Sequence, residues 1–117
     1  MLKVYAYKNC STCKNAIKWL EDNGKKFEVV EIRETPPRKS ELRLAVGLHG
    51  IRKLFNSSGQ EYRSLKLKDK LDDMPEKEAL ELLSSNGNLV KRPFAIDTSA
   101  GITLVGFKED LWKIKLK

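Results

Sequence analysis

Apolar residues recur along the chain with two different periods, and the switches between them mark the elements. Leu2 to Tyr7 is short, rich in Val and Tyr, and followed by Lys8 and Asn9, which predicts a buried strand running into a loop. Cys13, Ala16, Ile17 and Leu20 then fall at i, i+3, i+4 and i+7, one face of an amphipathic helix with Ser11 or Thr12 as cap and Gly24 as stop. Phe27, Val29, Val30 and Ile32 give a second strand over 27–32. Strand, helix and strand within about 30 residues form a βαβ unit, whose strands should be parallel and whose crossover should be right-handed.

Thr35-Pro36-Pro37 breaks this pattern, because proline has no N–H for a ladder and pushes its predecessor out of helical geometry. Beyond it, Leu42, Ala45, Val46 and Leu48 predict a helix closed between Gly47 and Gly50. Ile51, Leu54 and Phe55 predict a second, and Tyr62, Leu65 and Leu67 a third. A fourth has Pro75 at its first helical position, Ala79, Leu80 and Leu83 on one face, and Asn86-Gly87 as terminator. Phe94 to Asp97 and Ile102 to Val105 then read as a hairpin turning at Ser99-Ala100-Gly101, and Lys108 to Leu116 as a closing helix. The fold class expected is α/β: a βαβ unit and a ββα unit sharing a mixed sheet, with a helical insertion over about 36–88.

At 117 residues, with 40% hydrophobic and 33% charged positions, the chain has enough material for one core, so a single domain over 1–117 is expected. No stretch approaches the roughly 18 to 20 apolar residues that span a bilayer, and Met1-Leu2-Lys3-Val4 lacks signal-peptide architecture, so a cytoplasmic protein without membrane contact, and a monomer, is expected. Lys and Arg outnumber Asp and Glu by 23 to 16, a net charge of +7 that suits anions and acidic surfaces. These cations are scattered and seldom alternate with aromatics, which argues against direct nucleic-acid binding.

The two cysteines form Cys10-Ser11-Thr12-Cys13 at the strand-to-helix junction. A Cys-x-x-Cys in an α/β chain points to redox chemistry, since zinc would require two more ligands; His49, the only histidine, and a carboxylate are the remaining candidates, and no metal is expected. Cys10 should lie at the positive end of the first helix, where free N–H groups, the helix dipole, Lys8 and Lys14 favour thiolate. It is the candidate nucleophile. Cys13, one turn on and on the apolar face, is placed to attack a sulfur adduct on Cys10 and close a disulfide, which makes it the candidate resolving thiol. The alternative is a pair of structural cysteines that pack as small apolar residues.

Three segments together, Tyr7-Lys8-Asn9-Cys10-Ser11-Thr12-Cys13, Val90-Lys91-Arg92-Pro93 and Leu104-Val105-Gly106-Phe107-Lys108-Glu109-Asp110, resemble the arsenate reductase (ArsC)/Spx family, with Leu54-Phe55-Asn56-Ser57-Ser58-Gly59 fitting its middle. The resemblance implies a thioredoxin-like fold with a helical insert. It also implies a cis peptide before Pro93 facing the cysteine loop, and an anion site formed by Asn9, Ser11, Thr12, Arg92 and Pro93, with the Arg92 guanidinium as its fork. It places Asn56 and Gly106 where single-cysteine arsenate reductases carry two further arginines, so that Arg52, Arg63 or a lysine would have to substitute.

Two functions follow from the resemblance. One is a thiol oxidoreductase acting on arsenate or a related substrate, with glutathione or a glutaredoxin- or thioredoxin-type protein as electron donor and no bound cofactor. The other comes from Cys13, which resembles the Cys-x-x-Cys of the Spx and MgsR regulators: a redox-sensing transcriptional regulator that binds the C-terminal domain of the RNA polymerase α subunit. Gly50 falls where the Spx pattern has a glycine at that partner surface. A non-catalytic thioredoxin-like binding module is the third reading.

Overall fold

The computed structural model describes residues 1–117 and orders its four strands β2-β1-β3-β4. β1 (Leu2–Ala6) pairs in parallel with β2 (Phe27–Glu31) and antiparallel with β3 (Phe94–Asp97), which turns back into β4 (Ile102–Val105). The mixed sheet predicted from the chain is therefore present, and the hairpin falls on the two predicted strands either side of Ser99-Ala100-Gly101. β1 is central and apolar on both faces, as a strand covered on both sides must be. Leu2, Val4 and Ala6 face one helical layer, and Tyr5 the other.

The first layer holds α1 (Ser11–Asp22) and α6 (Glu109–Lys115), whose buried Cys13, Ala16, Leu20 and Trp112 pack on Ala95 and Leu104 of the sheet. Trp19 and Phe107 lie edge-on to Trp112 or tilted against each other at 5.0 to 6.3 Å between centroids, so both tryptophans of the chain belong to this layer. The second layer is the insertion between β2 and β3. It comprises α2 (Lys39–His49), α3 (Gln60–Ser64), α4 (Leu67–Lys70) and α5 (Glu76–Ser85), with Leu42, Leu54, Leu80, Leu83 and Leu89 packed on Tyr5, Phe94 and Ile96.

Several boundaries differ from expectation, each for a local reason. Cys10, and neither Ser11 nor Thr12, is the N-cap of α1, with extended backbone at φ −94° and ψ 114°. Pro75 likewise caps α5 and stands one position outside its first turn. The helix expected at Ile51 to Phe55 is a single 3-10 turn at Arg52–Leu54, because Phe55 is recruited into a bridge with Val90. The helix expected around Tyr62, Leu65 and Leu67 is two pieces, broken where Lys66 adopts a left-handed φ of 54°; Tyr62 and Leu67 are buried and Leu65 is exposed. Val29 is half exposed because β2 is an edge strand, and Ile32, just past its end, is fully buried instead.

Two devices fasten the insertion to the sheet. Glu41 of α2 is 3% exposed and accepts hydrogen bonds from the Tyr5 hydroxyl (2.7 Å), the Lys3 ammonium (2.7 Å) and the Arg38 N–H (3.0 Å). Burial opposes its ionisation, but these donors hold the carboxyl below the ordinary carboxylate range. At the other end, Asn56 N–H donates to Leu89 O and Lys91 N–H to Leu54 O, both at 2.7 Å, so the strand-like flanks of the insertion are stitched to each other directly before Arg92. Gly87 sits in the same region with no room to spare: a Cβ there would lie 1.8 Å from the Ile32 carbonyl oxygen. Gly87→Ala should therefore push the insertion off the end of β2 and destabilise the protein by about 2 kcal/mol or more in urea unfolding, whereas Gly47→Ala, whose Cβ would meet nothing within 4 Å, should not.

Candidate active site

The site forms where β1 runs out. The pairing of β1 with β3 ends at Tyr5↔Phe94, so Pro93 and Arg92 lead into the sheet beside the end of β1; on the other side, Ile32 N–H donates to Ala6 O at 3.0 Å. The Arg92–Pro93 peptide is cis, and Pro93 is buried beside the strand that leads into the cysteine loop. Tyr7, Lys8 and Asn9 turn the chain, closed by a hydrogen bond from Cys10 N–H to Tyr7 O at 3.0 Å, and α1 begins.

Cys10 is half buried, and its sulfur accepts the backbone N–H of Cys13 at 3.2 Å. That contact is the capping interaction that a serine or aspartate oxygen usually supplies, so the helix end directs its free donors at a sulfur atom. Both cysteines are free thiols. Cys13 is 1% exposed, packed with Ala6, Ala16 and Trp112. Burial is the main force on its proton, reinforced by the hydrogen bond to Cys10; with the Tyr7 backbone and the Arg92 charge pulling the other way, the thiol is pushed up to about 12. The pair is thus asymmetric: one thiol lies half buried at a helix tip, and the other is fully buried in the core and neutral.

Arg92 stands over the Tyr7 ring, its guanidinium carbon 5.2 Å from the centroid. Its Nη1 is buried without a hydrogen-bond partner, an unusual state for a group with five donors. Asn9 donates from Nδ2 to the Tyr7 hydroxyl at 3.1 Å, and Ser11 and Thr12 are exposed in the first turn of α1. The structure therefore gathers Cys10, Cys13, Asn9, Ser11, Thr12, Arg92 and Pro93 around one strand end.

Other sequence candidates lie elsewhere. Gly50, exposed at φ +82°, closes α2 on the insertion. His49 Nε2 lies 2.9 Å from Thr103 O and 3.0 Å from its Oγ1, which engages the ring with β4 and not with the thiols. No group of three or more His, Cys, Asp or Glu side chains is placed to hold a metal. Arg52 pairs with Asp72 at 2.5 Å and Arg63 donates to Ser58 O at 2.8 Å, and both are exposed on the insertion. Asn56 does line a cavity with Arg92. Gly106 has φ +73°, which a side chain rarely adopts, and Lys91 crosses the space that one would enter.

One residue at this strand end was not singled out in the sequence. Arg33 follows directly after Ile32, and its guanidinium carbon lies 4.8 Å from the same Tyr7 centroid. The available signal was topological: in a parallel βαβ unit, ligands are met beyond the carboxyl ends of the strands, and Arg33 is the first cation there after β2.

Comparison with known proteins places this geometry. A model of the ArsC family matches residues 5–114. The uncharacterized protein YusI of Bacillus subtilis (strain 168) is 48% identical over 93% of this chain and 92% of its own length. The global transcriptional regulator Spx of Enterococcus faecalis is 30% identical over 94% and 82%. Among solved structures, an ArsC family related protein from Bacteroides fragilis superposes with a TM-score of 0.89 at 39% identity, covering 97% of this chain and 96% of its own. A possible arsenate reductase from Streptococcus mutans UA159 gives 0.86 at 39%, covering 95% and 97%. The architecture is the thioredoxin-like fold of such proteins.

The buried thiol makes a pH signature. In the unfolded chain Cys13 ionises from about pH 8.5, but in the fold not until about 12, so unfolding releases a proton between these values and stability falls as pH rises through that window. Under reducing conditions, the stability advantage of wild type over Cys13→Ala should shrink by up to roughly 1.4 kcal/mol per pH unit above 8.5. Urea titrations of both proteins at pH 8 and pH 10.5 measure it, and an unchanged difference would contradict the assignment.

Proposed function

The chain belongs to the ArsC family, and from that premise we propose that it is a thiol-dependent oxidoreductase with Cys10 as nucleophile and Cys13 as resolving thiol, acting on arsenate or a related anionic substrate. The observation that carries this reading is the cap itself: the sulfur of a half-buried cysteine receiving a helix N-terminal N–H, with a second thiol one turn behind it.

The Cys10 thiolate attacks the electrophilic atom of the substrate, forming a sulfur–substrate bond as an oxygen leaves with its bonding pair and is protonated to water. Arg92 and the cysteine loop hold the anionic group meanwhile. Cys13 then gives up its proton and attacks the Cys10 sulfur. The disulfide forms, the Cys10–substrate bond breaks, and its electron pair departs with the product, which leaves reduced by two electrons. Two equivalents of glutathione, or one dithiol of a glutaredoxin- or thioredoxin-type protein, return those electrons. The reading places the protein in the cytoplasm, as a monomer without bound cofactor.

The first test is turnover of arsenate with glutathione and glutaredoxin. Cys10→Ser should lower it by about a thousandfold or more, and Cys13→Ser should trap the adduct on Cys10, visible as added mass on the intact protein. Turnover of Cys10→Ser at the wild-type rate would remove this mechanism.

A second reading is supported by the 30% identity to Spx together with Gly50, which is exposed at the end of α2 with a positive φ of 82° that favours glycine. In it, the Cys10–Cys13 disulfide alters a surface that docks on the C-terminal domain of the RNA polymerase α subunit, with the basic charge meeting an acidic partner. A pull-down with that isolated domain, run with the cysteines reduced and oxidised, should retain the protein in one state more than the other. Absence of binding in both states would eliminate it.

A further inference from the structure

We propose that Arg33 is the second guanidinium of the anion site, so that Arg33 and Arg92, both set against the Tyr7 ring and lining one cavity, hold a compact, doubly charged anionic group beside Cys10. The proposal rests on the thiol-oxidoreductase reading and deepens it by supplying a cation that the sequence had sought at Arg52 or Arg63.

Strand order brings the two arginines together. Tyr7 extends the central strand; its neighbours are the chain leaving β2, which carries Arg33, and the chain entering β3, which carries Arg92. The two guanidinium carbons lie 4.8 and 5.2 Å from the one ring centroid. An aromatic face attracts each cation, and it offsets part of the repulsion of holding two like charges close together. Both arginines line a single cavity of about 220 Å³, completed by Asn56, Gly59, Gln60, Glu61 and Asn88, without an apolar side chain. Glu61, its one carboxylate, accepts from the side-chain amides of Asn86 and Asn88 and forms no ion pair with either arginine.

Two further observations point to a ligand. Arg92 Nη1 is a buried donor with nothing to bond. Arg33 is exposed and forms none of the ion pairs that occupy Arg38 or Arg52, so its guanidinium is held only by the ring. Its backbone, by contrast, is fixed: its N–H donates to the Glu31 carboxylate at 2.9 Å, and Gly87 packs against its Cα. A free fork on a fixed stem suits recognition of a planar or tetrahedral oxyanion, where paired N–H···O bonds are roughly twice as strong as neutral ones.

The test compares alkylation of Cys10 by anionic iodoacetate and neutral iodoacetamide in the full-length protein, measured by mass spectrometry of the intact chain. Arg33→Gln and Arg92→Gln should each lower the iodoacetate rate about fivefold and leave the iodoacetamide rate unchanged; Arg52→Gln and Arg63→Gln should change neither. An iodoacetate to iodoacetamide ratio in Arg33→Gln equal to that of wild type, or a ratio lowered equally by Arg52→Gln, overturns the proposal. Should Cys10 prove inert to both reagents, the thiol reading fails, but the clamp is still read in Cys10→Ser by titrating inorganic phosphate against the arginine Nε–H resonances. Arg33 and Arg92 shifting together with one Kd supports it, and an unmoved Arg33 overturns it.

Discussion

A sulfur atom holds the helix-capping position, and the rest of the site is arranged around that substitution. An N-cap needs an acceptor with extended backbone in front of the first turn, and Cys10 meets both requirements while staying only half buried. Serine and threonine follow immediately and would cap well, yet they lie inside the helix. Stability of α1 and exposure of the reactive group are therefore the same interaction, whereas burial in the core one turn later turns the second thiol into a neutral acid.

The insertion gives this helix tip its other half. Without residues 55 to 91 the sheet would still present Cys10, but nothing would bring Asn56, Asn88 and the carbonyl-stitched approach to Arg92 against the strand end. The buried Glu41 carboxylate and the missing Cβ of Gly87 show how closely that layer is pressed to the sheet: one contact is charged and fully satisfied, the other purely steric. The absence of an arginine at position 106 has a conformational reason as well, since its positive φ is one that side-chain-bearing residues rarely adopt.

Period and punctuation made most of the architecture legible. The short apolar runs at 2–7, 94–97 and 102–105, the 3.6-residue stripe through Cys13 and Leu20, and Pro36-Pro37 all sit close to real boundaries, because the runs and the stripe reflect local burial and the prolines local backbone restriction. What failed was decided by partners far away in the chain. Phe55 left its helix for Val90, Lys66 broke another by turning left-handed, and Val29 was left in solvent because no strand lies outside β2. The site shows the same division. Cys10, Cys13 and Arg92 could be named from motifs, whereas Arg33 belongs to no motif and acquires meaning only when strand order sets it next to Tyr7.

The segregation of aromatic side chains has a practical corollary. Trp19 and Trp112, with Phe107 between them, report only on the layer that carries the cysteines; no indole lies among the inserted helices, whose aromatic members are Phe55 and Tyr62. Intrinsic emission is thus a one-sided probe of melting, and far-UV ellipticity, dominated by helices on both faces, is the other. Coincidence of the two curves would mean that the cores on either side of the sheet come apart as one cooperative unit, and separation would mean that the inserted layer can loosen while the helix bearing Cys10 stays docked.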